Sequence, residues 1–404
     1  MRFIEGGVCA PKGFKAAGIH CGIRKNKDKK DLSLILSDKM ACAGAVYTTN
    51  LVKGAPIAVT KANIQDGKAI GMICNSGNAN TCNSNGVEIA EKMCALVAEA
   101  TGYKAEDFIV ASTGVIGQPL DIEPIALHMN ELCSKLSENG SKDAAYGIMT
   151  TDTMLKEIAV EFELGGKICK IGGIAKGSGM IHPNMATMLV FITTDVAIDS
   201  DLLKTILKEN ADNTFNMVSV DGDTSTNDML SIMANGMAGN EIIMSAGPDL
   251  DIFKEALLEV TKYLSRMIAK DGEGATKLLE CQIRNAATIK DARVLAKSVI
   301  CSSLVKAAMF GSDANWGRIL CALGYAGTGA DVTKIDVAFK SKAGAVKVCK
   351  NGSGIEFSEE LAKIVLSEDE IIIDVNMNDG HAEATAWGCD LTYDYVKING
   401  DYRT

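Results

Sequence analysis

A glycine-rich loop leads into Thr187, where a hydroxyl could act as a nucleophile. The loop begins at Lys176, and the apolar, β-branched run 188–194 that follows is typical of a buried strand. A side chain at the start of such a strand is held rigidly, while glycines let the loop adopt unusual backbone angles. If the Ala186–Thr187 bond were cut, the new α-amine, with a pKa of roughly 7.7–8, could serve as the base for the Thr187 hydroxyl. A loop that simply enters a core strand is the plainer interpretation of this pattern.

A second pair of residues, Thr113 and Gly114, follows the predicted strand 108–112. A threonine hydroxyl beside a glycine N–H offers two donors of the kind that an oxyanion hole needs. Thr-Gly turns are common, so this motif alone is a weak signal.

Other polar loops are ambiguous when each is taken alone. The amide-rich segment 75–80 is typical of a tight turn but could also orient a ligand. Segment 219–228 is acidic but lacks the final glutamate of a calcium-binding EF-hand loop. Glu273 lies between two glycines, where little else is expected to screen its charge. Lys176 fits a solvated loop lysine and a partner for a carboxylate equally well.

The order of predicted elements indicates a layered α/β or α+β fold. Strand-like runs are predicted at 34–36, 57–60, 69–74, 108–112, 158–164, 168–174, 188–194, 230–233, 334–339, 371–375 and 391–398. Helix-like runs are predicted at 87–101, 124–136, 202–215, 250–268 and 292–301. No long linker rich in Pro, Gly or Ser separates domains. The predicted division of the chain is therefore at the peptide bond between Ala186 and Thr187.

Composition excludes several classes of function. The 404 residues carry a net charge of −10 without a large basic block, which argues against nucleic acid as a partner. The 13 cysteines are scattered and odd in number, which indicates a reducing compartment and mostly buried thiols. The 4 histidines lack zinc-ligand spacing, so no metal is expected. No signal peptide or membrane-length apolar run is present, and a soluble cytoplasmic protein with no membrane partner is predicted.

Taken together and in this order, the motifs resemble the ornithine acetyltransferase family, the self-cleaving glutamate N-acetyltransferases of arginine biosynthesis. The resemblance spans nearly the whole chain through segments 10–18, 75–80, 112–114, 176–187, 219–228, 271–277, 313–318 and 399–404. Two departures concern local loops: Ala314 stands where proline is expected, and segment 81–86 looks altered and slightly long.

The resemblance implies a fold and a maturation step. The fold would be layered α/β with two central sheets flanked by helices, DmpA-like, resembling N-terminal-nucleophile hydrolases without being identical to them. Thr187 would cut the bond to Ala186 and leave an α chain, 1–186, and a β chain, 187–404, that stay associated. Two α and two β chains would form a heterotetramer.

The resemblance also implies an activity and its residues. The enzyme would move an acetyl group from N-acetylornithine to glutamate through acetyl-Thr187, with Thr113 and Gly114 as the oxyanion hole. No cofactor is implied, and whether acetyl-CoA also serves as a donor stays open. The residues that the resemblance assigns to substrate binding are Thr150, Lys176, Thr187, Glu273, Asn399 and Thr404.

Two alternatives to the acetyltransferase stay open. The first differs in the acceptor of the acyl group, and the second belongs to a different class of protein. A self-processed amidohydrolase or aminopeptidase would use the same nucleophile but pass the acyl group to water. A catalytically silent amino-acid-binding or scaffold protein would stay uncut.

Overall fold

The structure, a computed structural model, describes residues 1–182 and 188–401. The described chain forms two compact units from interleaved segments. The first unit contains Met1–Gly177, the described part of 183–215, and Thr224–Leu264. The second contains Ser178–His182, Asn216–Asp223 and the described part of 265–404. This division into units reflects how the chain packs. It differs from the predicted cleavage of the chain between Ala186 and Thr187, which stays a prediction.

The first unit is built on a mixed nine-stranded sheet. Its strands follow the order β1-β6-β7-β8-β10-β3-β4-β5, and β2 pairs with β3 beside this path. The strands are β1 (Arg2–Ile4), β2 (Phe14–Ile19), β3 (Leu32–Tyr47), β4 (Lys68–Asn75), β5 (Phe108–Ser112), β6 (Lys156–Leu164), β7 (Lys167–Lys176), β8 (Leu189–Thr194) and β10 (Met229–Ala234).

Strand β5 is buried on both faces, because its first four residues are apolar and its last is a small serine. Phe108 and Val110 join one hydrophobic cluster, while Ile109 and Ala111 join another. Helices cover the sheet: α4 packs on β2 and β3, α5 on β3, and α1 on β5. The helices up to Lys270 are α1 (Ala55–Asn63), α2 (Gly86–Thr101), α3 (Glu123–Ser134), α4 (Ser141–Ile148), α5 (Ser200–Asn213) and α6 (Pro248–Lys270).

The second unit has a mixed seven-stranded sheet with the order β14-β13-β12-β15-β11-β16-β9. Its strands are β9 (Val218–Ser219), β11 (Leu278–Ala286), β12 (Asp336–Ser341), β13 (Gly344–Lys350), β14 (Ser353–Gly354), β15 (Glu370–Asn376) and β16 (Ala382–Cys389). Helix α7 packs on β11 and β16, and α10 packs on β12 and β13. The later helices are α7 (Ile289–Cys301), α8 (Ser303–Phe310), α9 (Trp316–Gly324), α10 (Glu359–Leu366) and α11 (Tyr393–Gly400).

The predicted layered fold with two central sheets flanked by helices is confirmed, but two predicted strands are wrong. Segment 57–60 lies within α1, because Pro56 fits the first turn of a helix and a four-residue apolar run does not by itself distinguish helix from strand. Segment 391–398 alternates like a strand, yet most of it forms α11. The Thr392 side chain caps this helix by accepting from Tyr395 N.

The cysteines behave as predicted from their scatter. All 13 are free, and 8 of them are buried, so they pack mainly as small apolar side chains. Within residues 1–182 and 188–401, no helix combines the length and apolar character that a membrane crossing requires.

Candidate active site

The first unit brings Lys176 next to Thr113. Thr113 directly follows β5, and Lys176 is the last residue of β7. Lys176 is 9% exposed, and its Nζ donates to Thr113 Oγ1 at 3.3 Å. An ammonium group only donates hydrogen bonds, so the Thr113 oxygen accepts and keeps its own hydrogen for another partner. This arrangement leaves the Thr113 hydroxyl available as a donor, as an oxyanion hole requires.

A close backbone approach explains the glycine at position 114. Gly114 has φ +133°, and a Cβ there would lie 2.3 Å from the Gly77 carbonyl carbon. Thr113 N donates to Asn75 O at 3.0 Å, and Val115 N donates to Gly77 O at 3.3 Å. The amide-rich segment 75–80 is therefore a support for the Thr113–Gly114 turn. Sequence reasoning left its role open.

Asn227 ties this turn to two further segments. Its Nδ2 donates to Ala79 O at 2.6 Å and to Ser112 O at 2.9 Å. Its Oδ1 accepts from the hydroxyls of Thr81, at 2.6 Å, and Thr226, at 2.5 Å. These four hydrogen bonds use both donor hydrogens and both acceptor lone pairs of the buried Asn227 amide. Sequence reasoning missed Asn227, since its partners come from distant parts of the chain.

Asp152 accepts hydrogen bonds from three residues of the first unit. Its Oδ2 accepts from Thr150 N at 2.9 Å, and its Oδ1 accepts from Lys156 Nζ and Gly177 N, both at 2.7 Å. The side chains of Asp152 and Lys156 are both 0% exposed. Asp152 thus links Thr150, a predicted substrate-binding residue, to Gly177, which directly follows Lys176. Neither Asp152 nor Lys156 was predicted from the sequence.

Electrostatics at this site are set by burial and by neighbouring charges. Burial lowers the pKa of Lys176, and the nearby Asp152 carboxylate opposes that effect. Burial alone would raise the pKa of Asp152. The charges of Lys156 and Lys176, with hydrogen bonds from Lys156 and Gly177, instead hold that pKa well below its usual range. Asp152 is therefore a carboxylate at neutral pH.

In the second unit, Glu273 is paired with Asn399. Asn399 Nδ2 donates to Glu273 Oε2 at 2.8 Å, and Glu273 is only 7% exposed. The expectation of an unscreened carboxylate is thus wrong, because the chain folds closely around it. A Cβ on Gly179 would lie 2.3 Å from Glu273 Cδ, so glycine at 179 permits this approach.

The segment before the predicted cleavage position is held by Asp221. Its carboxylate accepts from Met180 N at 2.6 Å and from Ile181 N at 2.8 Å. Met180 has φ +55°, an unusual angle for a residue with a side chain. Three predicted site residues, Ala186, Thr187 and Thr404, lie outside the described residues.

A layered α/β fold that holds a Thr-Gly turn beside a buried lysine has donors suited to acyl-transfer chemistry. The sequence model of the ArgJ family matches residues 15–404. The chain belongs to the ArgJ family, and the predicted resemblance is confirmed. It is therefore an acetyltransferase of arginine biosynthesis.

Full-length relatives carry the same name. The arginine biosynthesis bifunctional protein ArgJ of Caldanaerobacter subterraneus subsp. tengcongensis is 51% identical over 405 residues, 100% of both chains. The protein of that name from Bacillus subtilis is 46% identical over 403 residues, 99% of this chain and 97% of its own.

Among solved structures, an ArgJ from Bacillus halodurans is 45% identical, with a TM-score of 0.49. The match covers 52% of this chain and 97% of that one. An ornithine acetyltransferase from Mycobacterium tuberculosis, solved with ornithine, is 31% identical with a TM-score of 0.41, covering 46% of this chain and 99% of that one.

Proposed function

We propose that the protein transfers the acetyl group of N-acetylornithine to glutamate through an acetyl ester on Thr187. The observation that carries this proposal is the Thr113–Gly114 turn, whose hydroxyl accepts from Lys176 Nζ at 3.3 Å. Such a turn can stabilise the oxyanion of an acyl transfer, and family membership points to the same reaction.

Maturation precedes catalysis in this proposal. The Thr187 hydroxyl attacks the Ala186 carbonyl carbon, and the acyl group shifts from nitrogen to oxygen. This shift breaks the peptide bond and frees the Thr187 α-amine. Water then hydrolyses the ester, which releases the Ala186 carboxylate and restores the Thr187 hydroxyl. The products are an α chain, 1–186, and a β chain, 187–404. The glycine-rich sequence that starts at Lys176 supports this step, since glycines permit the backbone angles that such an attack needs.

The catalytic cycle is of the ping-pong type. The Thr187 amine takes the hydroxyl proton, and the oxygen attacks the acetyl carbonyl carbon of N-acetylornithine. The developing oxyanion accepts from the Thr113 hydroxyl and Gly114 N–H. Ornithine leaves with the proton, and acetyl-Thr187 remains. The glutamate amine then attacks the ester and departs as N-acetylglutamate, which restores the Thr187 hydroxyl.

Substrate charges suggest a role for each binding residue. The α-carboxylate needs a cation, and buried Lys176 supplies one, helped by Thr150 and by the polar groups of Asn399 and Thr404. The side-chain ammonium of ornithine needs a carboxylate, which Glu273 supplies. The contact between Asn399 and Glu273 supports this assignment because it orients the carboxylate.

A second acetyl donor, the subunit assembly, the location and the absence of a cofactor are also proposals. Acetyl-CoA is a candidate second donor, consistent with the word bifunctional in the relatives' names. The mature chains would assemble as two α and two β chains in the cytoplasm, without a bound cofactor.

Intact-mass analysis followed by an acetyl-transfer assay tests the proposal. Purified protein should give two pieces that share the 42.7 kDa roughly in proportion to 186 and 218 of the 404 residues. N-acetylornithine should release ornithine rapidly only when glutamate is present. Ornithine released equally fast without glutamate would indicate an amidohydrolase, and full activity in an uncut chain would overturn the mechanism.

A further inference from the structure

The Asp152 carboxylate accepts hydrogen bonds from two loop segments of the first unit, one of which directly follows Lys176. Thr150 N comes from the loop after α4, while Gly177 N follows Lys176 at the end of β7. Lys156 Nζ, from the first residue of β6, completes a fully buried ion pair. Removing the carboxylate would therefore take an acceptor away from two backbone donors, the Thr150 hydroxyl and one ammonium group.

Groups of several neighbouring elements influence the charge of Lys176. The groups that act on it are Asp152, Lys156 of β6, Asp228 just before β10, and Cys74 of β4. Burial and the Lys156 charge disfavour the ammonium form of Lys176, whereas Asp152 and Asp228 favour it. Burial has the largest effect on the pKa of Lys176, and Asp152 has the largest effect among the neighbouring charges.

We propose that Asp152 is a positioning residue that keeps Lys176 charged and fixes the Thr150 and Gly177 backbone, so that the enzyme selects donors with an α-carboxylate. This inference rests on the proposed function, in which Lys176 binds that carboxylate. Asp152 itself does not touch the substrate. Its role is to favour the ammonium form of Lys176 in a buried place where desolvation opposes that form.

The contrasting explanation is that the Asp152–Lys156 pair only stabilises the fold. A purely structural pair would affect all donors alike when broken. A positioning pair predicts effects that depend on the donor's carboxylate and on pH, and that are opposite in direction for the two partners.

The test compares N-acetylornithine with N-acetylputrescine, the same molecule without the carboxylate. Asp152→Asn should raise the KM for N-acetylornithine at least about tenfold, as expected for a lost charge-assisted contact, and change that for N-acetylputrescine less than about twofold. The KM for N-acetylornithine should rise at alkaline pH, where Lys176 loses its proton. In the Asp152→Asn variant this alkaline limb of the KM profile should move to lower pH.

Lys156→Met should move the same limb to higher pH, because it removes a repelling charge next to Lys176. The double variant Asp152→Asn/Lys156→Met leaves no unpaired partner of the ion pair and should lie between the single variants. It also supplies folded protein if a single variant does not fold. An exposed lysine, Lys397, replaced by methionine serves as the control.

Different experimental results would contradict this inference and the proposed function. If the wild-type protein moves no acetyl group from N-acetylornithine, the proposed function is wrong. If the wild type is active but the folded variants lose both donors equally, with no displaced limb, Asp152 is only structural and this inference is overturned.

Discussion

At the residue scale, the proposed chemistry depends on groups that are neutral or charged because of their immediate surroundings. Lys176 lies buried beside Thr113, and Glu273 lies buried beside Asn399. A buried charge persists only where partners compensate for lost water. The partners of these side chains therefore determine what each can bind.

Replacing Thr187, the proposed nucleophile, separates maturation from folding. Thr187→Ala removes the hydroxyl, so we expect a single uncut chain without acetyl-transfer activity, visible on a denaturing gel and by intact mass. Thr187→Ser is the matched control, because serine keeps the hydroxyl and should still cleave. A Thr187→Ala chain that is cut at the same bond would contradict the mechanism.

Glu273→Gln tests the carboxylate that is proposed to bind the ornithine ammonium. Loss of that charge should raise the KM for N-acetylornithine roughly tenfold or more, with a smaller effect on self-cleavage, measured by steady-state kinetics and gel. Glu356→Gln, at an exposed glutamate, is the control. An unchanged KM would remove Glu273 from this role.

At the scale of elements, the turn after β5 depends on contact with the loop after β4. Parallel pairing brings Asn75 opposite Ser112, so both strands end at the same edge of the sheet. Beyond that edge, Gly114 packs against Gly77, and Asn227 donates to Ser112 O. The candidate oxyanion donors are held by three chain segments.

Two glycines of this turn make a matched pair. Gly114 and Gly117 both have positive φ, but only at Gly114 would a Cβ collide with backbone, whereas at Gly117 nothing lies within 4 Å. Gly117→Ala should cost about 1–2 kcal/mol of stability and leave turnover nearly intact. Gly114→Ala should displace the donors and lower kcat on the order of 10²–10³-fold, measured on folded protein. Equal kcat in both variants would show that the Gly114 turn does not position the donors.

At the scale of the whole molecule, buried titratable groups link stability to pH. Burial, with repulsion from Lys297, lowers the pKa of His182 to about 4 from 6.5. His182 is half-buried, and its Nδ1 lies 3.0 Å from Ser219 Oγ and 3.5 Å from Cys301 Sγ. The unfolded chain therefore takes up a proton at His182 before the folded protein does.

This linkage has a definite sign. Stability from neutral His182 is full above about pH 6.5 and falls as the pH drops toward 4. His182→Gln cannot take up that proton, so its Tm should fall less than the wild-type Tm between pH 7 and 4.5. His381→Gln, at an exposed histidine, should behave like wild type. An equal Tm loss in the His182 variant would contradict the assignment.

Local patterns were sufficient for elements that carry their own signal. Strand β5 was predicted with its observed bounds because every position is apolar or small and turn residues follow it. Segments 57–60 and 391–398 were misassigned because short apolar or alternating runs are compatible with either element. There, Pro56 and the Thr392 cap decided for helix.

By itself, the sequence determined the family, the layered fold and the residue types available for acyl transfer, because these depend on motif order and on periodicity along the chain. Only the tertiary structure decided which groups meet. Thr113 and Lys176 lie 63 positions apart, and Asn227 lies 115 positions from Ser112. Such pairs form where strand pairing and burial bring distant segments together, and no local pattern encodes their proximity. The same burial decides that Asp152 and Lys156 must neutralise each other, which their spacing in the sequence did not reveal.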